Sequence, residues 1–285
     1  MLALRKTKRF PRLLTGALAV LAAAAGPASA QGKLDAHYTV TLAGIPIGNG
    51  NWTIDITDTN YNASANGATT GLMRAFTGGQ GTTNVQGKLN GGHLLSSNYA
   101  ATVVTSKKTE EIKLTVSNGN VTNFKITPVP DKDPDRVPIK EEHQHGILDP
   151  MTASLLRMPG NGDPLSAEAC QGTVAVFDGR LRYDLQLAFK RMDKVKAEKG
   201  YAGPVVVCAV YFSPIAGFNP GRYAIKYISE LRDMEVWLAP IAGTRVLVPF
   251  RAQAPTPIGP AVMEATRFVS VATPGRTSGS GPKTQ

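Results

Sequence analysis

The chain has 285 residues, of which 42% are hydrophobic and 18% charged, and its formal net charge is +10. Five of its 31 basic residues, and none of its 21 acidic residues, lie within residues 1–30, so the remainder carries a net charge of only +5. An excess that small, scattered along the chain, does not predict a nucleic-acid-binding protein.

Residues 1–30 are typical of a secretory signal peptide. A basic region ends at Arg12, an apolar run covers residues 13–25, and Ala28-Ser29-Ala30 matches a cleavage signal. The apolar run is shorter than the about 20 residues that a membrane-spanning helix needs. We therefore expect cleavage near Ala30 and export of the mature chain.

Short segments in which apolar and polar residues alternate follow, and they predict antiparallel β-strands. The first such segments contain Tyr38, Trp52 and Ile112. Asn118-Gly119 and Asp178-Gly179 each separate two alternating runs and predict β-hairpins, because residues at such turns adopt positive φ. Further strands are predicted at residues 223–229, 234–238, 245–251 and 261–269.

Three segments depart from this alternation. Residues 205–212 are apolar at every position, which predicts a strand covered on both faces. Residues 149–158 predict the one short helix, with Asp149 as its cap and Pro150 at its first position. Residues 191–200 are charged and fit either a wide hairpin tip or a short helix.

Pro-rich and Gly-rich segments predict the domain organisation. Residues 128–138 contain four Pro and three Asp and are predicted to be a connection between about seven strands and about six more. We expect one strongly curved antiparallel sheet, or an open or half β-barrel, in a single β-rich domain over residues 31–272. A division into two lobes at residues 128–146 is the alternative, and residues 273–285 are expected to form a disordered tail.

Two cysteines are present, Cys170 and Cys208. An even number of cysteines in an exported chain favours a disulfide, which would stabilise the fold by about 4 kcal/mol. A reactive or metal-binding thiol pair is the alternative, but the pair lacks a C-x-x-C spacing.

Two patterns resemble metal sites. Asp131, Asp133 and Asp135, with Glu142 at the twelfth position, imitate a calcium loop, but Arg136 replaces the glycine that its turn requires. His143 and His145 would point to the same side of an extended chain, as two zinc or copper ligands do. A solvated acidic linker and a surface histidine pair are the simpler interpretations, so we predict neither a metal nor another cofactor.

No catalytic motif marks a nucleophile. Ser154 and Ser213 have no base near them in sequence, and the glycines between Gly44 and Gly50 have the spacing of a hairpin turn. Aromatic residues within the predicted strands are assigned mainly to the core, and a curved sheet could offer some of them to an apolar ligand. They are Tyr183, Tyr211, Phe212, Tyr223, Tyr227 and Trp237.

Several segments of the chain are similar to sequence motifs of a proteobacterial exported family of unknown function, domain of unknown function 3108. They are residues 36–40, 44–48, 147–153, 176–184 and 208–217. The resemblance covers roughly residues 35–270. It implies a periplasmic, β-rich protein, comparable in fold to lipoprotein-carrier half-barrels, and it supplies no catalytic residues.

These observations predict a periplasmic, non-enzymatic protein that binds a lipid or another apolar or amphipathic component of the cell envelope. One alternative is an envelope assembly or scaffolding factor that acts through contacts with a protein partner. Another is an envelope hydrolase, in which Asp149, His143 or His145 would have to meet a nucleophile in space.

Overall fold

The computed structural model describes residues 31–71, 79–90 and 92–273. The predicted signal peptide and residues 274–285 of the predicted tail lie outside the described residues. Strands dominate the described part of the chain. They are β1 (Gly32–Leu42), β2 (Ile45–Ile56), β3 (Asn60–Thr69), β4 (Gln80–Asn90), β5 (His93–Val104), β6 (Thr109–Ser117), β7 (Asn120–Thr127), β8 (Leu156–Arg157), β9 (Gly172–Phe177), β10 (Arg182–Lys196), β11 (Lys199–Gly200), β12 (Ala202–Ala216), β13 (Glu235–Pro240), β14 (Val246–Ala254) and β15 (Ala261–Ala272).

Strands β1 to β7 form a meander in which each strand pairs antiparallel with the next. Alternate side chains point into the core, as Leu34, Ala36 and Tyr38 do on β1, so the alternating runs are strands as predicted. Asn118 and Gly119 adopt φ of +50° and +78° between β6 and β7. The predicted hairpin at this position is confirmed.

The last strand lies beside the first, so the two runs of strands form one continuous sheet. Its order is β7-β6-β5-β4-β3-β2-β1-β15-β14-β13-β12-β10-β9, with β8 paired to β14 and β11 to β15. The edge strands of this order, β7 and β9, do not pair with one another in the part of the chain that the structure describes. The predicted mainly antiparallel, unclosed sheet is confirmed.

The segment between β7 and β9 contacts both edges of the sheet. Residues 128–138 contain no helix or strand, as predicted. Farther along, Ile147 N donates a hydrogen bond to Gly119 O in the β6–β7 turn, while Leu148 N donates to Ala175 O on β9, each at 2.8 Å. Backbone hydrogen bonds therefore link the two edges through this segment.

The predicted helix at residues 149–158 is shorter than expected. Helix α1 is Pro150–Ala153, capped by Asp149, whose carboxylate accepts from the backbone N–H groups of Met151 and Thr152. The chain then leaves the helix because Leu156 and Arg157 form β8 and pair with β14. Backbone pairing with a neighbouring strand has replaced the second helical turn.

The predicted strand at residues 223–229 is wrong, because helix α2 spans Tyr223–Glu230. Tyr223, Ile225 and Tyr227 alternate as in a strand, but Tyr223 and Tyr227 also have the i, i+4 spacing of one helix face. Their rings stack with centroids 5.8 Å apart. The prediction of only one helix is also wrong, because α2 is present in addition to α1.

Strand β12 is covered on both faces, as its apolar run predicted. Val205 and Val207 belong to a cluster that includes Phe250, whereas Val206 and Cys208 belong to a second cluster on the opposite face. The charged segment at residues 191–200 is the hairpin tip, since β10 continues to Lys196 before the chain turns.

Candidate functional site

One row of side chains crosses five strands on a single face of the sheet. Cys208 on β12 pairs with Val236 on β13, which pairs with Ala252 on β14. Ala252 pairs with Met263 on β15, and Met263 with Val40 on β1. Because directly opposed residues point to the same side of a sheet, these five side chains share one face.

A cavity of about 400 Å³ lies on this face. The cavity forms at the start of β13. From Glu235 onward β13 lies between β12 and β14, whereas on the other side of Glu235 no described strand fills the space between them. Leu187 and Val210 line it on one side, and Ala254 and Ala261 on the other. The gap between β12 and β14 is therefore an apolar cleft.

The segment after helix α1 forms another wall of the cavity. Ala153, Ser154 and Leu156 line it, and the pairing of Leu156 with Leu247 holds this segment against β14. Helix α1 thus places residues 153–156 over the face of the sheet that carries the cavity.

The polar side chains that line the cavity are bound to other groups. Ser154 Oγ donates to Pro150 O at 2.8 Å, and Gln253 Oε1 accepts from Arg251 at 2.8 Å. The Glu235 carboxylate accepts from Lys190 and, at 2.9 Å, from Arg191. The hydrogen bond from Arg191 is the main cause that lowers the pKa of Glu235. All the other lining residues are apolar, so the cavity offers van der Waals contact and burial of apolar surface.

The predicted disulfide between Cys170 and Cys208 is confirmed, with Cα atoms 5.3 Å apart. Both cysteines are buried, in a cluster with Met158, Leu238 and Leu247 beside the cavity. The bond anchors the segment before β9 to β12, the third strand from the β9 edge of the sheet. It therefore ties the 3₁₀ helix Ala167–Cys170 to the face of the sheet that carries the cavity.

Asp149 is fully buried within a small polar cluster. Its carboxylate accepts from Thr152 Oγ1 at 2.5 Å, in addition to the two backbone bonds of the helix cap, and Tyr61 Oη lies 2.7 Å from Thr152 Oγ1. Burial raises the pKa of Asp149, because a carboxylate loses hydration there. Asp149 caps the helix and holds Thr152, and Thr152 joins the helix to Tyr61 on β3, so the role of the cluster is structural.

Among the described residues, His143 and His145 do not come together with Asp149 and a nucleophile. His143 Nδ1 accepts from Lys140 N, and His145 Nδ1 lies 3.1 Å from Asn120 Oδ1. Ser154, on the predicted helix, is bound to a carbonyl of the preceding turn. His143, His145 and Ser154 therefore each contact a different part of the chain.

In the described part of the chain, neither metal-like pattern brings three potential ligands together. His143 lies in a 3₁₀ helix, Glu141–Gln144, so the extended chain that would align it with His145 is absent there. Asp133 accepts from the Asn219 amide, and this hydrogen bond lowers its pKa. Within residues 31–71, 79–90 and 92–273, no three His, Cys, Asp or Glu side chains are grouped to hold a metal.

The aromatic residues singled out in the sequence do not line the cavity, and their assignment mainly to the core is wrong, because Trp237 alone of the six is a buried core residue. Tyr183 and Phe212 contact each other, with centroids 5.3 Å apart, and Arg232 lies over the ring of Tyr211. Trp237 lies beneath Arg251. Aliphatic residues form the cavity instead, among them Leu185 and Leu187 on β10, and their alternation in the sequence indicates a strand but not a cavity.

Comparison with known proteins gives a family and one structural similarity. No curated protein matches the chain. A beta-barrel-like protein of domain of unknown function DUF1849 from Brucella abortus is similar with a TM-score of 0.41 at 10% identity, over 85% of this chain and 98% of that chain. Among the described residues, no helix is both long and apolar enough to cross a membrane. The model of the family described as protein of unknown function (DUF3108) matches residues 37–266, and the chain belongs to that family.

Proposed function

We propose that this chain is exported to the periplasm and binds the apolar part of a cell-envelope molecule, such as a lipid acyl chain, in the cavity between β12 and β14. The observation that carries the proposal is the apolar lining of that cavity. Its volume of about 400 Å³ lies within the range of about 300–1,000 Å³ that small-molecule sites occupy.

The chemistry of the lining supports an apolar rather than a polar ligand. Burial of apolar surface contributes about 25 cal/mol per Å², whereas a polar group placed there without a partner costs free energy. Ser154, Gln253 and Glu235 are already bound to other groups, so they leave a ligand few polar partners.

Two further observations support export. Residues 1–30 have the order of a signal peptide, and the disulfide is typical of proteins that mature in an oxidising compartment. The first experiment is native mass spectrometry of the protein purified from periplasm, followed by solvent extraction and lipid analysis. A co-purifying apolar molecule is the expected result.

Binding at the cavity is tested with a fluorescent fatty acid, cis-parinaric acid. Ala252→Trp and Ala261→Trp place an indole in the cavity and should abolish saturable binding. Ala68→Trp is the matched control because Ala68 is exposed on β3, away from the cavity. If both cavity variants bound the probe as the unchanged protein does, the cavity would not be the site.

A second candidate function is envelope scaffolding, which a different surface favours. Ile45, the first residue of β2, is 66% exposed, and Ile258, in the β14–β15 turn, is 71% exposed. A hydrogen bond from Ala43 N to Pro260 O joins the β1–β2 and β14–β15 turns. A contiguous exposed apolar patch marks an interaction surface, and these two isoleucines would contribute to such a patch. A photo-crosslinker at Ile45 should capture one defined envelope protein in living cells, whereas the same group at exposed Lys125 should not. Equal yields at the two positions would remove this candidate.

A further inference from the structure

A polar groove lies where four separate parts of the chain meet. Lys108 lies just before β6 and Glu110 within it, Arg180 lies in the β9–β10 loop, and Arg222 directly precedes α2. Residues 128–133 and Arg136 of the connection complete the groove. The groove has a volume of about 400 Å³. It shares no lining residue with the apolar cavity.

Positive charge exceeds negative charge in this groove. Its lining has five cations against three carboxylates, a net charge of +2. The cations are Lys108, Lys132, Arg136, Arg180 and Arg222, and the carboxylates are Glu110, Asp131 and Asp133.

The carboxylates leave part of the positive charge without a partner. Glu110 pairs with Arg180 and, at 3.1 Å, with Lys108. Asp133 accepts from the Asn219 amide at 3.1 and 3.2 Å, which lowers its pKa, so it stays ionised. Among the described residues, neither Arg136 nor Arg222 forms a direct ion pair through its guanidinium, although the charge of both also lowers the pKa of Asp133.

Two guanidinium donors at this groove have no acceptor. The Nε atoms of Arg136 and Arg180 are buried and have no hydrogen-bond partner in the described part of the chain. A buried N–H donor without an acceptor costs free energy, and a charged donor costs more. An oxyanion seated between these side chains would supply the missing acceptors.

We propose that this groove binds a phosphate group, held by Arg136, Arg180 and Arg222. The planar guanidinium presents paired N–H donors that match two oxygens of a phosphate, and three such groups converge from different segments. The phosphate belongs either to the free anion or to the head group of a phospholipid. The proposal stands independently of the apolar cavity.

The test measures binding of two probes to the purified chain by calorimetry, at constant ionic strength set with chloride. The probes are inorganic phosphate and dihexanoyl phosphatidic acid below its micelle concentration. Saturable binding is expected for at least one. Similar affinities assign the site to the free anion, and tighter binding of the lipid by tenfold or more assigns it to the head group.

Arg136→Gln and Arg222→Gln should each weaken binding by about tenfold or more, because each removes charged hydrogen bonds to the anion. Lys88→Gln is the matched control, since Lys88 is exposed on β4 outside the groove and the substitution removes the same charge. Thermal unfolding should show that all three variants are folded. Asp133→Asn removes an opposing charge while retaining an oxygen for Asn219, so it should tighten binding.

The proposal is overturned if neither probe binds saturably. It is also overturned if Lys88→Gln weakens binding as much as the arginine variants do, which is the behaviour of a nonspecific charge effect. Unchanged affinity in both arginine variants contradicts it as well. Should an arginine variant fail to fold, the sign of the change in Asp133→Asn decides: weaker or unchanged binding overturns the proposal.

Discussion

Phe124 on β7 and Phe177 on β9 meet edge to face, with ring centroids 5.8 Å apart and ring planes at 90°. These residues belong to the two edge strands of the sheet, which no backbone ladder joins in the described residues. Phe177 is completely buried, whereas Phe124 is 40% exposed. The edges of the open sheet therefore touch through aromatic side chains.

This contact predicts measurable coupling between the two edges. Phe177→Ala should lower the free energy of unfolding by about 3–5 kcal/mol because it leaves a cavity in the core. Phe124→Ala should cost much less, and the double variant should show a coupling energy of about 0.5–1.5 kcal/mol in urea unfolding. Strict additivity would show that the aromatic contact contributes nothing.

Gly179 is predicted to be intolerant of a β-branched side chain. Its φ is +92°, and a Cβ there would lie 2.8 Å from Ile112 Cγ2 on β6. Gly179→Val should destabilise the protein by about 2 kcal/mol or more, from backbone strain together with crowding. Thermal and urea unfolding measure the loss.

Gly44→Val separates the two causes. Gly44 also has positive φ, at +81°, but a Cβ there meets nothing within 4 Å. The loss of stability in Gly44→Val should therefore reflect backbone strain alone and be smaller than the loss in Gly179→Val. If the two variants lost equal stability, packing against Ile112 would not contribute.

The disulfide is predicted to supply a large part of the stability. Cys170 and Cys208 are 38 residues apart, and closure of a loop of that length removes about 4 kcal/mol of unfolded-state entropy. Replacement of both cysteines by alanine should lower the free energy of unfolding by about that amount. The unchanged protein should lose similar stability in reductant, to which the double variant should be insensitive.

Asp149 predicts a pH dependence of definite sign. Burial raises its pKa in the folded state, so the folded protein holds the proton more tightly than the unfolded chain does. The free energy of unfolding should therefore fall as the pH rises above the ordinary aspartate pKa of about 4. Asp178, whose pKa burial also raises, contributes with the same sign.

Asp149→Asn should reduce this decline with pH while it preserves the helix cap. The asparagine oxygen accepts from Met151 N and Thr152 N, and its amide can donate to Thr152 Oγ1, which then donates to Tyr61 Oη. Asp149→Ala removes the cap and should cost about 1–2 kcal/mol at every pH. An unaltered pH profile in the asparagine variant would contradict the assignment.

Local patterns were sufficient where the structure depends on neighbouring residues. The alternation around Tyr38 and Trp52 predicted strands, and Asn118-Gly119 predicted a turn, because side-chain direction and positive φ are properties of a few consecutive residues. Residues 223–229 show the limit. Their spacing fits a strand and a helix alike, and only the surroundings of the segment decide between them.

By itself, the sequence determined the β class of the fold, the pairing of its two cysteines, and the burial of β12 on both faces. Composition and short-range periodicity carry that information directly. Only the tertiary structure decided that β15 lies beside β1, that the sheet divides where β13 begins, and that Arg136, Arg180 and Arg222 converge. The cavity and the groove join residues far apart in the chain, and such contacts depend on strand order, which periodicity does not encode.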